Sequence, residues 1–219
     1  MHRHHERMRR HELREIIARG ESATVEFKRK FTSAEKIAKE IIAFANTSGG
    51  YLLVGVDDDG SIRGVDSEKE TMELIAIAGH SILPPLDLHV EVVEIEYKDV
   101  IVVHVPKSDH KPHRLITETE EERNKAFIRS GEHSVKASRE MERVLAAQNA
   151  STPPMTISIG ERERRLFTFM ERYGRATVKD FARLTNISSR RATQILVKLV
   201  RAGVVQIHHD GTHDYFTLV

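Results

Sequence analysis

The sequence predicts an α+β chain in two domains, and three observations carry that prediction. Ile37, Ile41, Phe44 and Ala45 share one helical stripe that runs into residues 46–50, which stop a helix and tolerate positive φ, and then into the apolar run 51–56. A helix therefore feeds a strand buried on both faces. Residues 90–97 and 100–105 alternate apolar and polar on either side of Lys98-Asp99, the pattern of an antiparallel hairpin. Beyond Pro153-Pro154 the periodicity turns helical three times and closes with two short runs about Asp210-Gly211, a strong hairpin signal.

Taken in order, residues 1–12 form a basic, His-rich arm that reads as a nucleic-acid-contacting tail, a frayed terminus or part of an affinity tag. Leu13, Ile16 and Ile17 make a short helix face that stops at Gly20. In Val25-Glu26-Phe27-Lys28 alternation places Glu26 and Lys28 on one face of a strand, an ion pair or part of a polar site. The strand over 51–56 delivers Asp57, Asp58 and Asp59 to its end. A helix over 69–78 and the hairpin of 90–105 follow. The loop 108–114 brings His110 and His113 near each other, either a metal pair or a polar loop. Residues 118–122 read as a solvated acidic tip. In the strand predicted over 125–129, Arg129 is placed either to reach a phosphate or to pair with a carboxylate. A helix over 139–148, with Met141, Val144 and Leu145 on its inner side, closes a first domain of 13–149.

Residues 150–158 read as a linker and 159–219 as a second domain. Its first two helices are marked by Leu166, Phe169 and Met170, and by Val178, Phe181, Ala182 and Leu184. The third runs over 188–202 and stops at Gly203. Three helices and a hairpin resemble a winged helix-turn-helix. In the third helix Ala192, Ile195, Leu196 and Leu199 form the buried stripe, while Arg191, Gln194, Lys198 and Arg201, with Arg190 at the shoulder, form a cationic face with no acidic residue among them. Such a face suits a major groove and its phosphates, although a solvated or protein-docking face has the same pattern.

Composition narrows the classes. The chain has 219 residues and no Cys, which excludes disulfides, thiolate metal sites and a Cys nucleophile. No apolar run approaches the roughly 20 residues of a membrane span, and the first residues lack a signal peptide's apolar core, so a cytoplasmic protein without membrane attachment is expected. Net charge is +1, but residues 155–219 carry 11 Lys or Arg against 6 Asp or Glu and residues 1–20 carry 6 against 3, leaving the middle acidic. The ends suit a polyanion; the middle needs a local basic patch or a bridging cation. No Gly-x-x-x-x-Gly-Lys-Ser/Thr loop occurs, so no ATP site is expected.

Residues 21–28 (Glu-Ser-Ala-Thr-Val-Glu-Phe-Lys), the stretch 38–65, Lys111-Pro112-His113 and residues 126–131 (Ala-Phe-Ile-Arg-Ser-Gly) together resemble the Schlafen AlbA-like domain family. The resemblance implies a mixed sheet with flanking helices. It implies two roles, since many bacterial and archaeal relatives with a helix-turn-helix are described as transcriptional regulators and some animal relatives are metal-dependent endoribonucleases acting on transfer and ribosomal RNA. The carboxylates of those nucleases match Glu21, Glu26 and Asp58, which would hold Mg²⁺ or Mn²⁺, with Lys28 stabilising charge on the phosphate. The nuclease core has two related lobes and this chain shows one, so a homodimer would supply the second. The leading expectation is a nucleic-acid-binding protein, a DNA-binding transcriptional regulator, contacting DNA or RNA through Arg190, Arg191, Gln194, Lys198, Arg201, Lys28 and Arg129. The alternatives are a divalent-metal-dependent endoribonuclease acting on structured RNA such as transfer RNA, and a protein-interaction adaptor.

Overall fold

The structure is a computed structural model, described for residues 7–118, 120, 122–149 and 157–219. The first half of the arm of 1–12, most of the linker of 150–158 and two positions of the acidic tip lie outside the described residues. The described chain divides into two units, one formed by residues up to Ser108 with His113–Lys136, the other by Asp109–Pro112 with residues from Ala137 onward.

The first unit is a mixed sheet with helices on both faces. Strand β1 (Val25–Lys28) runs parallel to β2 (Gly50–Val54). Next to β2 lies antiparallel β5 (Lys98–Val105), and β4 (His89–Ile95) forms the far edge, giving the order β1-β2-β5-β4. Because β2 is central, its apolar run is divided between two cores, as the unbroken hydrophobicity implies. Leu52 and Val54 pack with Ile37, Ile41 and Phe44 of α2 (Ala34–Asn46) and with Leu74 and Ile77 of α3 (Ser67–His80). Leu53 faces the other way, toward Leu13 and Ile17 of α1 (Arg10–Arg19).

The Gly49-Gly50 junction is dictated by close approach. Gly49 sits at φ +77, and a Cβ on Gly50 would lie 2.5 Å from the Thr24 carbonyl oxygen and 2.6 Å from the Phe44 ring. The turn therefore lets α2 fold back directly onto the strand it feeds.

The hairpin of β4 and β5 turns two residues earlier than its sequence predicts. Glu96 and Tyr97 form the turn, with φ of 51 and 61, and Ile95 pairs with Lys98. Two successive left-handed residues match the twist of the flanking strands. Lys98 and Asp99 are polar for another reason, since Lys98 Nζ donates to the Ile62 carbonyl at 2.9 Å and Asp99 Oδ2 accepts from Ser67 Oγ at 2.6 Å. Three short strands escape the sequence reading: β3 (Ile82–Leu83) pairs with β6 (Arg114–Leu115), and β8 (His133–Lys136) pairs with β7 (Phe127–Ser130), which lies two residues beyond the start of the strand expected over 125–129. Their apolar runs are too short to show a period.

In the second unit α4 (Arg139–Ala147), α5 (Glu161–Tyr173), α6 (Val178–Thr185) and α7 (Ser189–Arg201) precede the antiparallel pair β9 (Val205–His209) and β10 (Asp214–Leu218). Ser138, Thr177 and Ser188 cap α4, α6 and α7 by accepting from the backbone N–H groups of Met141, Asp180 and Arg191. Left-handed Gly174 and Asn186 close α5 and α6. At the hairpin tip Asp210 Oδ1 accepts from the backbone of Thr212 and His213. Ala176 and Phe216 exchange both backbone hydrogen bonds, at 2.9 and 2.8 Å, which ties the α5–α6 connection to the hairpin.

Leu166, Met170, Phe181, Leu196, Leu199 and Phe216 form this unit's core, and Val144 of α4 belongs to the same cluster. The expectation that this helix closes the first domain is corrected accordingly. Its amphipathic stripe shows that it packs, whereas the stripe alone does not say against what.

Candidate functional site

Parallel pairing of β1 with β2 brings residues 26–28 beside the end of β2, where Asp57–Asp59 follow. Glu21 enters through a tight Ser22–Val25 turn, in which Ser22 N donates to the Val25 carbonyl at 2.9 Å, and its Oε1 accepts from Phe27 N at 2.8 Å. Burial first, and the charges of Glu26 and Asp58 after it, push the Glu21 carboxyl above its ordinary value, against the opposing pull of the Phe27 N–H and of Lys28. Glu21 thus feels the charge of both carboxylates expected to act with it.

They do not form a chelate. Glu26 is 7% exposed; its Oε1 is taken by Lys28 Nζ and its Oε2 lies 2.9 Å from Arg129 Nη1. Asp57 is paired with Arg63 at 3.1 Å, Asp59 Oδ1 accepts from Ser61 N at 2.8 Å, and Asp58 is exposed. Among the described residues no three His, Asp or Glu side chains are arranged to hold a metal ion. The donor set as placed does not fit Mg²⁺ or Mn²⁺, which require several free oxygens converging on one point.

Arg129 is the hub of this region. Nη1 also donates to Glu40 Oε2 at 3.0 Å and to Ser134 Oγ at 3.1 Å, and Nη2 donates to the carbonyls of Ser22 and Glu132, both at 2.8 Å. The guanidinium lies over the Phe44 ring, 4.7 Å from its centroid. With its side chain 1% exposed, it pairs with carboxylates and is out of reach of a phosphate, which corrects its expected role in nucleic-acid contact. Lys28 is likewise engaged by Glu26 and one-quarter exposed, at 24%. Glu40 and Ser134 carry no sequence signal for this role, because nothing in a helix or strand pattern says which polar residue meets a distant arginine.

The His110 and His113 pair is also resolved. His113 is buried; its Nδ1 donates to the Pro84 carbonyl at 2.7 Å, which leaves Nε2 to accept from Ser108 Oγ at 2.7 Å. Both ring nitrogens of His113 are thereby used internally, so His113 is not available to a metal.

In the second unit the amphipathic period of α7 buries Ala192, Ile195, Leu196 and Leu199 and turns Arg190, Arg191, Gln194 and Lys198 to the exterior, with Arg201 partly covered. Arg191 and Gln194 are one turn apart, with Nη1 and Oε1 separated by 3.5 Å. The face can meet phosphates through its cations and base edges through Arg and Gln.

The family profile described as "Schlafen, AlbA_2" matches residues 21–138, more than half of the chain. The protein belongs to the Schlafen AlbA_2 family. The match ends at Ser138, the N-cap of α4. Family membership supports nucleic-acid binding in general terms. No curated protein matches the chain. Among the solved structures that are similar to it are the following two. The solution structure of the N-terminal domain of an ATP-dependent DNA helicase RecG-related protein from Nitrosomonas europaea has 27% identity and a TM-score of 0.44, over 58% of this chain and 90% of that one. The DIP2311 protein from Corynebacterium diphtheriae has 19% identity and a TM-score of 0.45, over 69% of this chain and 33% of that one. Among the described residues of this Schlafen AlbA_2 member no helix is long and apolar enough to cross a membrane.

Proposed function

We propose that this protein binds duplex DNA through its C-terminal unit, acting as a winged helix with α7 as the reading helix, and that it serves in transcriptional control. The observation that carries this reading is the outward face of α7, where Arg190, Arg191, Gln194 and Lys198 stand without an acidic neighbour in the helix. A cationic helix of this length, backed by two helices and followed by a two-stranded hairpin, is the arrangement that places side chains in a major groove. A homodimer suits the reading, because two-fold symmetry pairs two such helices with two half-sites.

The N-terminal unit supports this reading over strand cleavage. Its buried Glu26 is neutralised by Lys28 and Arg129, which is the environment of a structural carboxylate. The deciding experiment incubates the full chain with duplex DNA and with transfer RNA, with and without Mn²⁺, scoring binding and cleavage together. Duplex binding without cleavage is expected. Mn²⁺-dependent cleavage of transfer RNA would overturn the proposal in favour of an endoribonuclease, and binding of neither polymer would leave a protein-docking role for α7.

A further inference from the structure

Helix α7 is flanked by two concavities of nearly equal size and different electrostatics. The one on the α5 side, about 590 Å³, is lined by Glu161 and Glu163 as well as by Arg162, Arg191 and Lys198. The one on the α4 side, about 610 Å³, is lined by Arg143, Arg190, Lys198 and Arg201 with Gln194, and by no acidic side chain. Two sides of one helix therefore present different potentials.

Arg143 is the new element. Its neighbour Val144 is 1% exposed and lies in the core shared with α7, which sets the rotation of α4 and leaves Arg143 on the outside, along the cleft. Among the described residues no ion pair engages Arg143, Arg190 or Lys198. Cations gathered around one cavity repel each other, and an anion between them relieves the repulsion. Polar Gln194 and buried Thr193 give the cleft floor hydrogen-bonding groups in addition to charge.

We infer that the α4–α7 cleft receives the sugar–phosphate backbone of one DNA strand, with Arg143 as a phosphate contact contributed from outside α7. The backbone lies on the α4 side because the α5 side carries Glu161 and Glu163, whose charges repel phosphate. This inference rests on the proposed meeting of α7 with duplex DNA and adds the side on which the phosphates lie. It also accounts for a helix that packs with the C-terminal unit although it follows directly on the family match.

The test measures anisotropy of a labelled duplex against the full-length parent and the variants Arg143→Ala, Arg143→Lys and Arg162→Ala across a salt series. Arg143→Ala is expected to weaken binding several-fold and to flatten the slope of log affinity against log salt by about 1, the signature of a single missing phosphate partner. Arg143→Lys retains the slope because it keeps the charge, and Arg162→Ala, on the mixed-charge side, keeps the parent slope. Arg143→Ala with parental affinity and slope overturns the inference, as does an equal loss in Arg162→Ala. In both cases the reading of α7 survives if Arg191→Ala/Lys198→Ala weakens binding at least tenfold. Failure of the parent to bind duplex overturns both.

Discussion

Arg129 Nη1 lies 2.9 Å from Glu26 Oε2, with the two side chains 1% and 9% exposed, so β1 and β7 are joined by an ion pair closed off from water. The same nitrogen reaches Glu40 of α2. Charges withdrawn from solvent are tolerated here because they are paired and hydrogen-bonded. Removing one partner is expected to be far more damaging than the pair's net contribution, since the remaining charges stay buried. Arg129→Ala should lower unfolding free energy by about 3–5 kcal/mol. Glu26→Gln, which keeps an acceptor and leaves Glu40 facing the arginine, should lower it by about 1–3 kcal/mol. Urea denaturation of the two single variants and the double variant checks both, and the double variant should lose less than the sum.

Asn46 closes α2 in a similar way with a neutral group. Its Nδ2 donates to the carbonyls of His113 at 3.0 Å and Phe127 at 2.9 Å, and its Oδ1 accepts from His113 N at 2.8 Å. Asn46→Asp keeps the shape but replaces the amide donors by an acceptor, facing two carbonyls with a buried charge. It should destabilise more than Asn46→Ala, which leaves buried backbone groups unpaired at about 1–3 kcal/mol each. Thermal melts that rank the two variants in the opposite order would contradict this account.

The raised carboxyl of Glu21 makes a signed pH prediction. In the window between its ordinary value and its raised folded value the folded state holds more proton than the unfolded chain, so stability falls as pH rises through that window. Glu21→Gln removes this penalty while its amide oxygen can still accept from Phe27 N. The variant should be more stable than the parent at neutral pH, by less than about 1 kcal/mol for a partly exposed charge. The gain should vanish once the pH lies below the ordinary carboxylate value, as denaturation at the two pH values will show.

The carboxylate geometry also predicts the response to metal. With Glu26 held by Lys28 and Arg129, Mn²⁺ should leave the melting temperature of the full chain unchanged. A metal-induced rise that disappears in Asp58→Asn would show instead that the carboxylates rearrange around an ion.

For α7, replacing Arg191 and Lys198 together by Ala should weaken duplex binding by about 1–3 kcal/mol for each good base pairing that the side chains made. Both residues are exposed, so the melting temperature should stay close to the parent's. Anisotropy titration and a thermal melt on the same preparation separate a binding defect from a folding defect.

Local pattern was enough for the elements whose residues carry their own signal. The stripe of α2, the two-sided burial of β2, the stripes of α6 and α7, and the exterior placement of Arg191 and Lys198 all follow from periodicity and from which residues stop a helix. The ordered segments from Glu21 to Gly131 likewise sufficed for the family. Pairing between distant residues is different in kind. Alternation placed Glu26 and Lys28 on a polar face, yet whether that face met water or Arg129 depended on β7 being folded against α2 and β1, an ion pair spanning 103 positions. The same holds for Val144, whose stripe demanded a partner without naming one, and for Lys98 and Asp99, whose polarity served Ile62 and the first residue of α3, Ser67, instead of a turn. A side chain's period is set by its own backbone. What lies opposite it, and therefore whether a charge becomes a strut, a ligand or a partner for phosphate, is decided only when the chain closes on itself.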